Sequence, residues 1–82
     1  MPRKMNITLY TKPECHLCES VEQTLQRVQR SHPFTLSIRN ILENDDDFAR
    51  YQHEIPVVLL DGEEIARYRL SENELVDALT KK

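Results

Sequence analysis

The segment that decides the fold of this chain is residues 5–18, which read MNITLYTKPECHLC. Residues 5–10 are rich in strand-forming side chains, some of them β-branched, and predict a first strand. A loop is predicted next, because Pro13 cannot continue a strand. From about Cys15 to Arg30, apolar residues recur at the spacing of one helical face, which predicts an amphipathic helix. That face carries Leu17, Val21, Leu25 and Val28.

A second strand and a second helix are predicted to follow. Residues 34–39 alternate apolar and polar side chains, as a half-buried strand does. One face of this strand carries Phe34, Leu36 and Ile38. The three aspartates at 45–47 suit a helix N-terminus and predict a short helix to about residue 52. Its inner face is predicted to carry Phe48 and Tyr51.

The next part of the chain predicts two antiparallel strands. Residues 56–60, PVVLL, form a continuous apolar run that is typical of a central strand covered on both faces. Asp61-Gly62 is a strong hairpin signal, so the chain is predicted to return as a strand over residues 63–69. Arg67 and Arg69 predict that this last strand lies at an edge of the sheet.

A third helix is predicted to close the chain. Residues 71–74, SENE, form a capping box, with Leu70 and Leu75 placed as its hydrophobic staple, and the helix runs to Lys81. The element order is therefore β-α-β-α-β-β-α. A right-handed crossover makes the first two strands parallel, and the hairpin makes the last two antiparallel. We expect an α/β fold with a four-stranded mixed sheet and helices on both faces.

Composition narrows the classes of function. The chain has 82 residues and a net charge of −3, and its basic residues are not clustered with aromatic ones, so we expect one domain over 1–82 and no nucleic-acid partner. No apolar run approaches the roughly 18 residues that span a bilayer. Residues 1–4 are not followed by the apolar region of a secretory signal. We therefore expect a cytoplasmic monomer that binds no membrane.

Both cysteines of the chain, Cys15 and Cys18, lie where the first loop is predicted to become the first helix. Free backbone N–H groups at a helix N-terminus favour a thiolate, and Lys12 can add a positive charge. Cys18 falls on the apolar face of the helix and is predicted to be shielded. The pattern predicts that Cys15 is the exposed nucleophile and Cys18 the thiol that resolves a mixed disulfide.

Metal binding is the competing interpretation of this cysteine pair. Zinc requires four ligands, and the remaining candidates are His16, His32 and His53, which form no second paired spacing. His16 either tunes the thiolate of Cys15 or is simply exposed. The aspartates at 45–47 lack the spacing of a calcium loop. We expect no bound metal and no resident cofactor.

The second candidate site segment is Ile55-Pro56. A proline at the start of a strand is often only a boundary between loop and strand. If the third strand runs antiparallel beside the first, however, Pro56 lies next to the end of the first strand and beside the cysteine pair. A cis peptide bond there would expose the backbone of Ile55 to an extended substrate.

The chain resembles a known family over essentially its whole length, and the resemblance is most specific in the segments that follow. Residues 9–18, LYTKPECHLC, resemble the active-site entry of glutaredoxins, and residues 55–58, IPVV, resemble their cis-proline segment. The stretch from Asn44 to Gly62 is more similar still to small glutaredoxin-like proteins of uncharacterised function found mainly in bacteria. The resemblance implies a thioredoxin-type fold in which Cys15 is nucleophilic, Cys18 is resolving and Pro56 is cis.

Three departures from the glutaredoxin pattern concern glutathione. His16-Leu17 replaces the usual Pro-Tyr between the cysteines, and Glu54 stands where glutaredoxins carry Thr. Residues 68–71, YRLS, replace a Gly-Gly turn that helps to hold glutathione. We expect the side chains of Arg69 and Leu70 to crowd the backbone there, although Arg69 remains a candidate partner for a carboxylate.

The sequence therefore predicts a thiol–disulfide oxidoreductase that reduces protein or glutathione mixed disulfides. Its substrates are predicted to be disulfide-containing proteins or small thiols, and its electron donor is a reductase or glutathione as co-substrate. The alternative is a redox-inactive binding module that acts as an adaptor or holds a metal or iron–sulfur cluster through Cys15. The candidate site residues are Cys15 and Cys18 (catalytic), Lys12 and His16 (thiolate-tuning), and Ile55, Pro56 and Arg69 (substrate-binding).

Overall fold

A computed structural model describes residues 5–81 of the chain. Its strands are β1 (Asn6–Thr11), β2 (Thr35–Asn40), β3 (Val57–Leu60) and β4 (Glu63–Arg67). Its α-helices are α1 (His16–Gln29), α2 (Asp45–Tyr51) and α3 (Glu72–Lys81), and a single 3₁₀ turn, Ile41–Glu43, joins β2 to α2. The predicted order of strands and α-helices is confirmed.

The four strands form one mixed sheet in the order β2-β1-β3-β4. β1 runs parallel to β2 and antiparallel to β3, and β3 runs antiparallel to β4. Asp61 and Gly62 both have positive φ, 51° and 87°, as a tight two-residue hairpin turn requires. Because Tyr10 pairs with Val57, the start of β3 lies beside the end of β1. The sheet therefore brings the segment before β3 to the loop that leads into α1.

The larger of two buried clusters fills the space between the sheet and helices α1 and α3. The apolar face of α1 is buried from its first turn to its last, at Cys18, Val21, Leu25 and Val28. Leu75 and Leu79 of α3 and Ile7 and Leu9 of β1 belong to the same cluster as the last three of these residues. Removal of these apolar side chains from water is the main source of stability for so short a chain.

The N-terminus of α3 has one of the two hydrogen bonds of the predicted capping box. Within residues 5–81, the Glu74 carboxylate accepts no bond from the Ser71 N–H. The backbone N–H of Glu74 donates a hydrogen bond to the Ser71 hydroxyl at 3.1 Å. Leu70 and Leu75 are both buried, which is the arrangement of a hydrophobic staple. The burial of Leu70 corrects the expectation that its side chain crowds the surface of this turn, since the staple draws it into the core.

The last strand is shorter than predicted. It ends at Arg67, which pairs with Val57, and the next residue, Tyr68, has a φ of 65°. The N–H of Arg69 donates to the carbonyl of Arg67 at 2.6 Å, so the chain turns sharply out of the sheet. The strand lies at the sheet edge as predicted, but Arg69 belongs to the turn that leads to α3.

Three apolar residues that were expected to face the core are partly exposed. Ile38 is 47% exposed on β2, an edge strand with a neighbour on one side only. Phe48 is 40% exposed, while Tyr51 on the same helix is buried and fills the space under α2. Leu17 is 47% exposed in the first turn of α1, where it lines a surface groove.

Candidate active site

Cys15 is the N-cap residue of α1 rather than its first helical residue. Its backbone is extended, with φ −107° and ψ 106°, and its carbonyl accepts the N–H of Glu19 at 3.1 Å. Its Sγ accepts a hydrogen bond from the backbone N–H of Cys18 at 3.2 Å. A helix N-cap places a side-chain acceptor among unpaired N–H groups, which is the setting that favours a thiolate.

Cys18 is the buried member of the pair. Its side chain is 2% exposed, whereas that of Cys15 is half-buried at the surface. The two Cα atoms are 5.2 Å apart, which lies within the range that a disulfide spans, and the two Sγ atoms are bonded. The structure thus pairs one accessible sulfur with one shielded sulfur.

Ile55 and Pro56 lie in the same part of the molecule as the cysteines. Ile55 belongs to a buried cluster with Cys18 and Val57, and Cys15 packs against this cluster from the outside. The Ile55–Pro56 peptide bond is cis, and the Pro56 side chain is fully buried. Within residues 5–81, no hydrogen bond joins the backbone of Ile55 to another residue.

The two residues proposed to tune the thiolate lie near Cys15 but are not in polar contact with it. Lys12 is exposed in the loop before the helix. The imidazole of His16 is 98% exposed, and its Nδ1 lies 3.8 Å from Oε2 of Glu19. In the described part of the chain, neither side chain is hydrogen-bonded to Cys15. Any effect of Lys12 or His16 on the sulfur would therefore act through space.

Sequence comparison decides the family. The Glutaredoxin-like domain (DUF836) matches residues 6–80, which include the cysteine pair and the cis-proline segment. The chain belongs to this glutaredoxin-like family. It is also 28% identical over 79 residues to the Glutaredoxin-like protein YDR286C homolog of Dictyostelium discoideum, a match that covers 89% of this chain and 73% of that protein.

Solved structures show that the glutaredoxin-like chain has a thioredoxin-type fold. Protein Ne2328 from Nitrosomonas europaea superposes with a TM-score of 0.81 at 24% identity, over 95% of this chain and 94% of that one. Thioredoxin 1 from Thermosipho africanus superposes with a TM-score of 0.66 at 18% identity, over 93% and 91% of the two chains. At these sequence identities, the structural similarity establishes the fold alone.

The third predicted substrate-binding residue, Arg69, lies on a groove of this glutaredoxin-like domain. The groove has a volume of about 410 Å³ and runs between α1 and the turn after β4. Leu17, the residue before Cys18, lines one side, and Tyr68 and Arg69 line the other. The structure therefore places Arg69 on the same surface as the Cys-x-x-Cys motif.

A pair of stacked aromatic rings packs with the buried cluster that contains Cys18. The rings of Tyr10 and Tyr51 are stacked, and Tyr51 belongs to the cluster that contains Cys18. The guanidinium of Arg50 lies 5.9 Å from the centre of the Tyr51 ring. Interaction with the Tyr51 side chain raises the pKa of Arg50 above its usual value.

Sequence patterns gave no indication of the residues that hold the cis-proline segment. The guanidinium of Arg67 lies between two carboxylates, 3.1 Å from Glu54 and 2.7 Å from Glu64. Hydrogen bonding to Glu64, followed by the charge of Glu54, raises the pKa of Arg67. Tyr68 hydrogen-bonds to the same segment through its backbone and its phenol. A positive φ is rare for an aromatic residue, so no local pattern predicts this turn.

Residues 5–81 show neither a metal-binding cluster nor a membrane-spanning helix. They contain no group of three or more His, Cys, Asp or Glu side chains arranged to hold a metal ion. None of helices α1–α3 has the length and apolar character needed to cross a membrane.

Proposed function

We propose that this glutaredoxin-like protein is a thiol–disulfide oxidoreductase that reduces protein disulfides or mixed disulfides with glutathione. The observation that carries the proposal is the hydrogen bond from the Cys18 N–H to Cys15 Sγ at the start of α1. The same bond would stabilise a Cys15 thiolate in the reduced protein, and the thiolate is the attacking species in disulfide exchange. Cys15 is accessible for this attack, whereas Cys18 is buried.

The proposed reaction has two exchange steps. The Cys15 thiolate attacks one substrate sulfur, the substrate S–S bond breaks, and the departing thiolate takes a proton from water. The Cys18 thiol then loses its proton and attacks Cys15 Sγ, which releases the second substrate thiolate. Two electrons pass from the dithiol to the substrate, and the Cys15–Cys18 disulfide remains.

Ile55 supplies the proposed contact with the substrate chain. Its backbone N–H and C=O make no hydrogen bond within residues 5–81, while its side chain belongs to the same buried cluster as Cys18. An extended peptide that carries the target cysteine can pair with these backbone groups as an added strand does. Leu17 and Arg69 border the approach from the groove side.

Recycling of the disulfide requires two electrons from a dithiol protein, such as a reductase, or from two glutathione molecules. We propose that the protein has no resident cofactor and acts as a monomer in the reducing cytoplasm. The presence of both cysteines in one Cys-x-x-Cys favours a redox or metal role over a structural crosslink in that compartment.

Single-turnover reduction tests this function without any assumption about the donor. The reduced protein is mixed with a disulfide-bonded peptide or a peptide–glutathione mixed disulfide, and the released thiol is quantified. We expect one disulfide reduced per wild-type molecule, no reduction by Cys15→Ser, and a trapped mixed disulfide with Cys18→Ser.

The control outcomes separate this function from the binding module. If the wild type reduces neither substrate faster than dithiothreitol at the same thiol concentration, the oxidoreductase proposal is wrong. Stoichiometric zinc or an iron–sulfur chromophore that is lost in Cys15→Ser would then support a metal-carrying role.

A further inference from the structure

The segment 53–56, which precedes β3, is bonded to the last residue of β4, Arg67, and to the residue that follows it, Tyr68. We propose that Arg67 and Tyr68 are positioning residues that clamp this segment beside the cysteine pair and so present Ile55 to the substrate. This inference rests on the proposed function, which it deepens by naming what fixes the substrate-pairing backbone.

Tyr68 holds the segment at two points. Its backbone N–H donates to the carbonyl of Pro56 at 2.8 Å, and its phenol donates to the carbonyl of His53 at 3.3 Å. One residue therefore satisfies a carbonyl on each side of Ile55. Such paired bonds fix the orientation of the peptide groups between them.

Arg67 adds a third attachment from the same strand end. Its Nη1 lies 3.1 Å from Oε1 of Glu54, and its Nε donates to Oε2 of Glu64 at 2.7 Å. The bond to Glu64 orients the guanidinium, which leaves the other nitrogen free to hold Glu54. Glu54 is also fixed through its own N–H, which donates to the carbonyl of Tyr51 at 2.8 Å.

The backbone of Tyr68 supports a functional interpretation of the clamp. Its φ of 65° is unfavourable for a bulky residue. Glycine or asparagine usually occupies a position with such a φ. An unfavourable backbone persists only where surrounding interactions hold it, and such residues cluster at binding sites. Here the two hydrogen bonds to the segment provide that support.

The clamp leaves one backbone unit open. His53, Glu54 and Pro56 are each bonded to Arg67 or Tyr68, whereas Ile55 is bonded to neither. Ile55 belongs to the same buried cluster as Cys18, and the bonds to His53 and Pro56 restrain the backbone on either side of it. A fixed backbone reduces the ordering entropy that a substrate peptide must overcome on binding.

Two variants test the clamp while leaving the cysteines unchanged. Tyr68→Phe removes the phenol bond to His53, and Arg67→Gln removes the ion pair with Glu54. The matched control is Arg27→Gln, which removes an exposed ion pair with Glu72 between α1 and α3. Each variant is measured for amide hydrogen exchange, for KM and kcat with a disulfide-bonded peptide, and for the rate of Cys15 alkylation.

The loss of one clamp bond should loosen the segment and weaken substrate pairing. We expect exchange at the amides of Glu54 and Tyr68 to quicken, and KM to rise, each by about three- to tenfold. Neither Cys15 alkylation nor kcat should change, because the sulfur geometry is intact. Arg27→Gln should match the wild type in all three measurements.

Two results would overturn the proposal: unchanged exchange in both variants, or faster exchange with an unchanged KM. In the second case the contacts are structural only. A wild type that reduces no disulfide would refute the proposed function instead, and the exchange measurement would then decide by itself whether Arg67 and Tyr68 hold the segment.

Discussion

The rings of Tyr10 and Tyr51 stack with their centroids 4.5 Å apart and their planes inclined by 29°. Tyr10 lies near the end of β1 and Tyr51 is the last residue of α2, so the stack joins this helix to the sheet. Both rings contact the buried cluster that holds Cys18 and Ile55. The aromatic pair therefore packs with the buried part of the candidate active site.

Replacement of Tyr51 should weaken the fold much more than replacement of its neighbour Phe48. Tyr51 is 8% exposed and Phe48 is 40% exposed on the same helix. We expect Tyr51→Ala to lower the free energy of unfolding by about 3 kcal/mol, because it leaves a cavity. Phe48→Ala should cost only about 1 kcal/mol, as a partly exposed position does. Urea unfolding measures both, and equal losses would contradict the packing described for α2.

The stacking itself can be measured with a double-mutant cycle. Tyr10→Ala, Tyr51→Ala and the double variant should show a coupling free energy of about 1 kcal/mol, which is typical of an aromatic pair. Strictly additive losses would mean that each ring contributes through burial alone and that the stack adds nothing.

The sequence predicts the order of strands and helices well because several of them carry strong local signals. The Asp61-Gly62 turn, the apolar run of β3 and the capping box of α3 each depend on residues close together in the chain. Parallel pairing of β1 and β2 then follows from the handedness of crossovers. The adjacency of β1 and β3, and with it the meeting of Ile55 and the cysteines, was conditional on an antiparallel pairing that the structure confirms.

Features that depend on tertiary contacts were missed. Ile41 forms part of an unpredicted 3₁₀ turn and is fully buried in the cluster beside Cys18. Tyr68 was expected to continue a strand, yet its bonds to His53 and Pro56 hold it in a turn. In both cases the deciding partners are distant in sequence, so a local pattern cannot reveal them.

Removal of the α3 cap should destabilise the protein by a predictable amount. Ser71→Ala leaves the N–H of Glu74 without its hydroxyl acceptor. We expect the free energy of unfolding to fall by about 1 kcal/mol, a typical value for the loss of an N-cap. Ser37→Ala, at an exposed strand position, is the control and should change stability little. Equal stability of the two variants in urea would show that the cap contributes nothing.

The alkylation rate of the reduced protein should reveal an acidic Cys15 thiol. The N-cap position and the N–H of Cys18 favour the thiolate, so we expect the pKa of Cys15 to lie below the ordinary value of about 8.5. The alkylation rate should then fall only as the pH drops through this lower pKa. Cys15→Ser, which leaves Cys18 alone, should react slowly throughout because Cys18 is buried. A midpoint at the value of a free thiol would refute the assignment of the nucleophile.

A lowered pKa of Cys15 in the folded protein would also make the free energy of unfolding depend on pH. A thiol whose pKa is lower in the folded state than in the unfolded state stabilises the fold fully above the unfolded pKa. That contribution is lost as pH falls through the folded pKa. The stability of the reduced wild type relative to Cys15→Ser should therefore increase with pH up to about 8.5, as judged by urea unfolding at each pH.

The last prediction concerns the electron donor, and it depends on the side chains of the turn before α3. The glutaredoxin pattern has a Gly-Gly turn at this point, whereas this chain has Tyr68 and Arg69, which line the groove beside Leu17. Leu70 does not contribute to the crowding, because it is buried in the core. Tyr68 instead is 45% exposed and lines the groove, where we expect its ring to restrict access to the backbone. We therefore predict that glutathione recycles the Cys15–Cys18 disulfide poorly and that a dithiol protein is the better donor.

A coupled assay on one disulfide substrate compares the two donors. Glutathione with glutathione reductase should support turnover at about a tenth or less of the rate seen with a thioredoxin-type reductase system, which corresponds to about 1.4 kcal/mol. Arg69 is the residue that can oppose this outcome, since an exposed guanidinium can bind a carboxylate of glutathione. Arg69→Ala separates the two effects: if glutathione turnover is efficient in the wild type and collapses in this variant, Arg69 is a ligand residue and the prediction is wrong. If turnover with glutathione stays low in both proteins while the dithiol donor remains efficient, the prediction of a dithiol donor is confirmed and Arg69 is not a glutathione ligand.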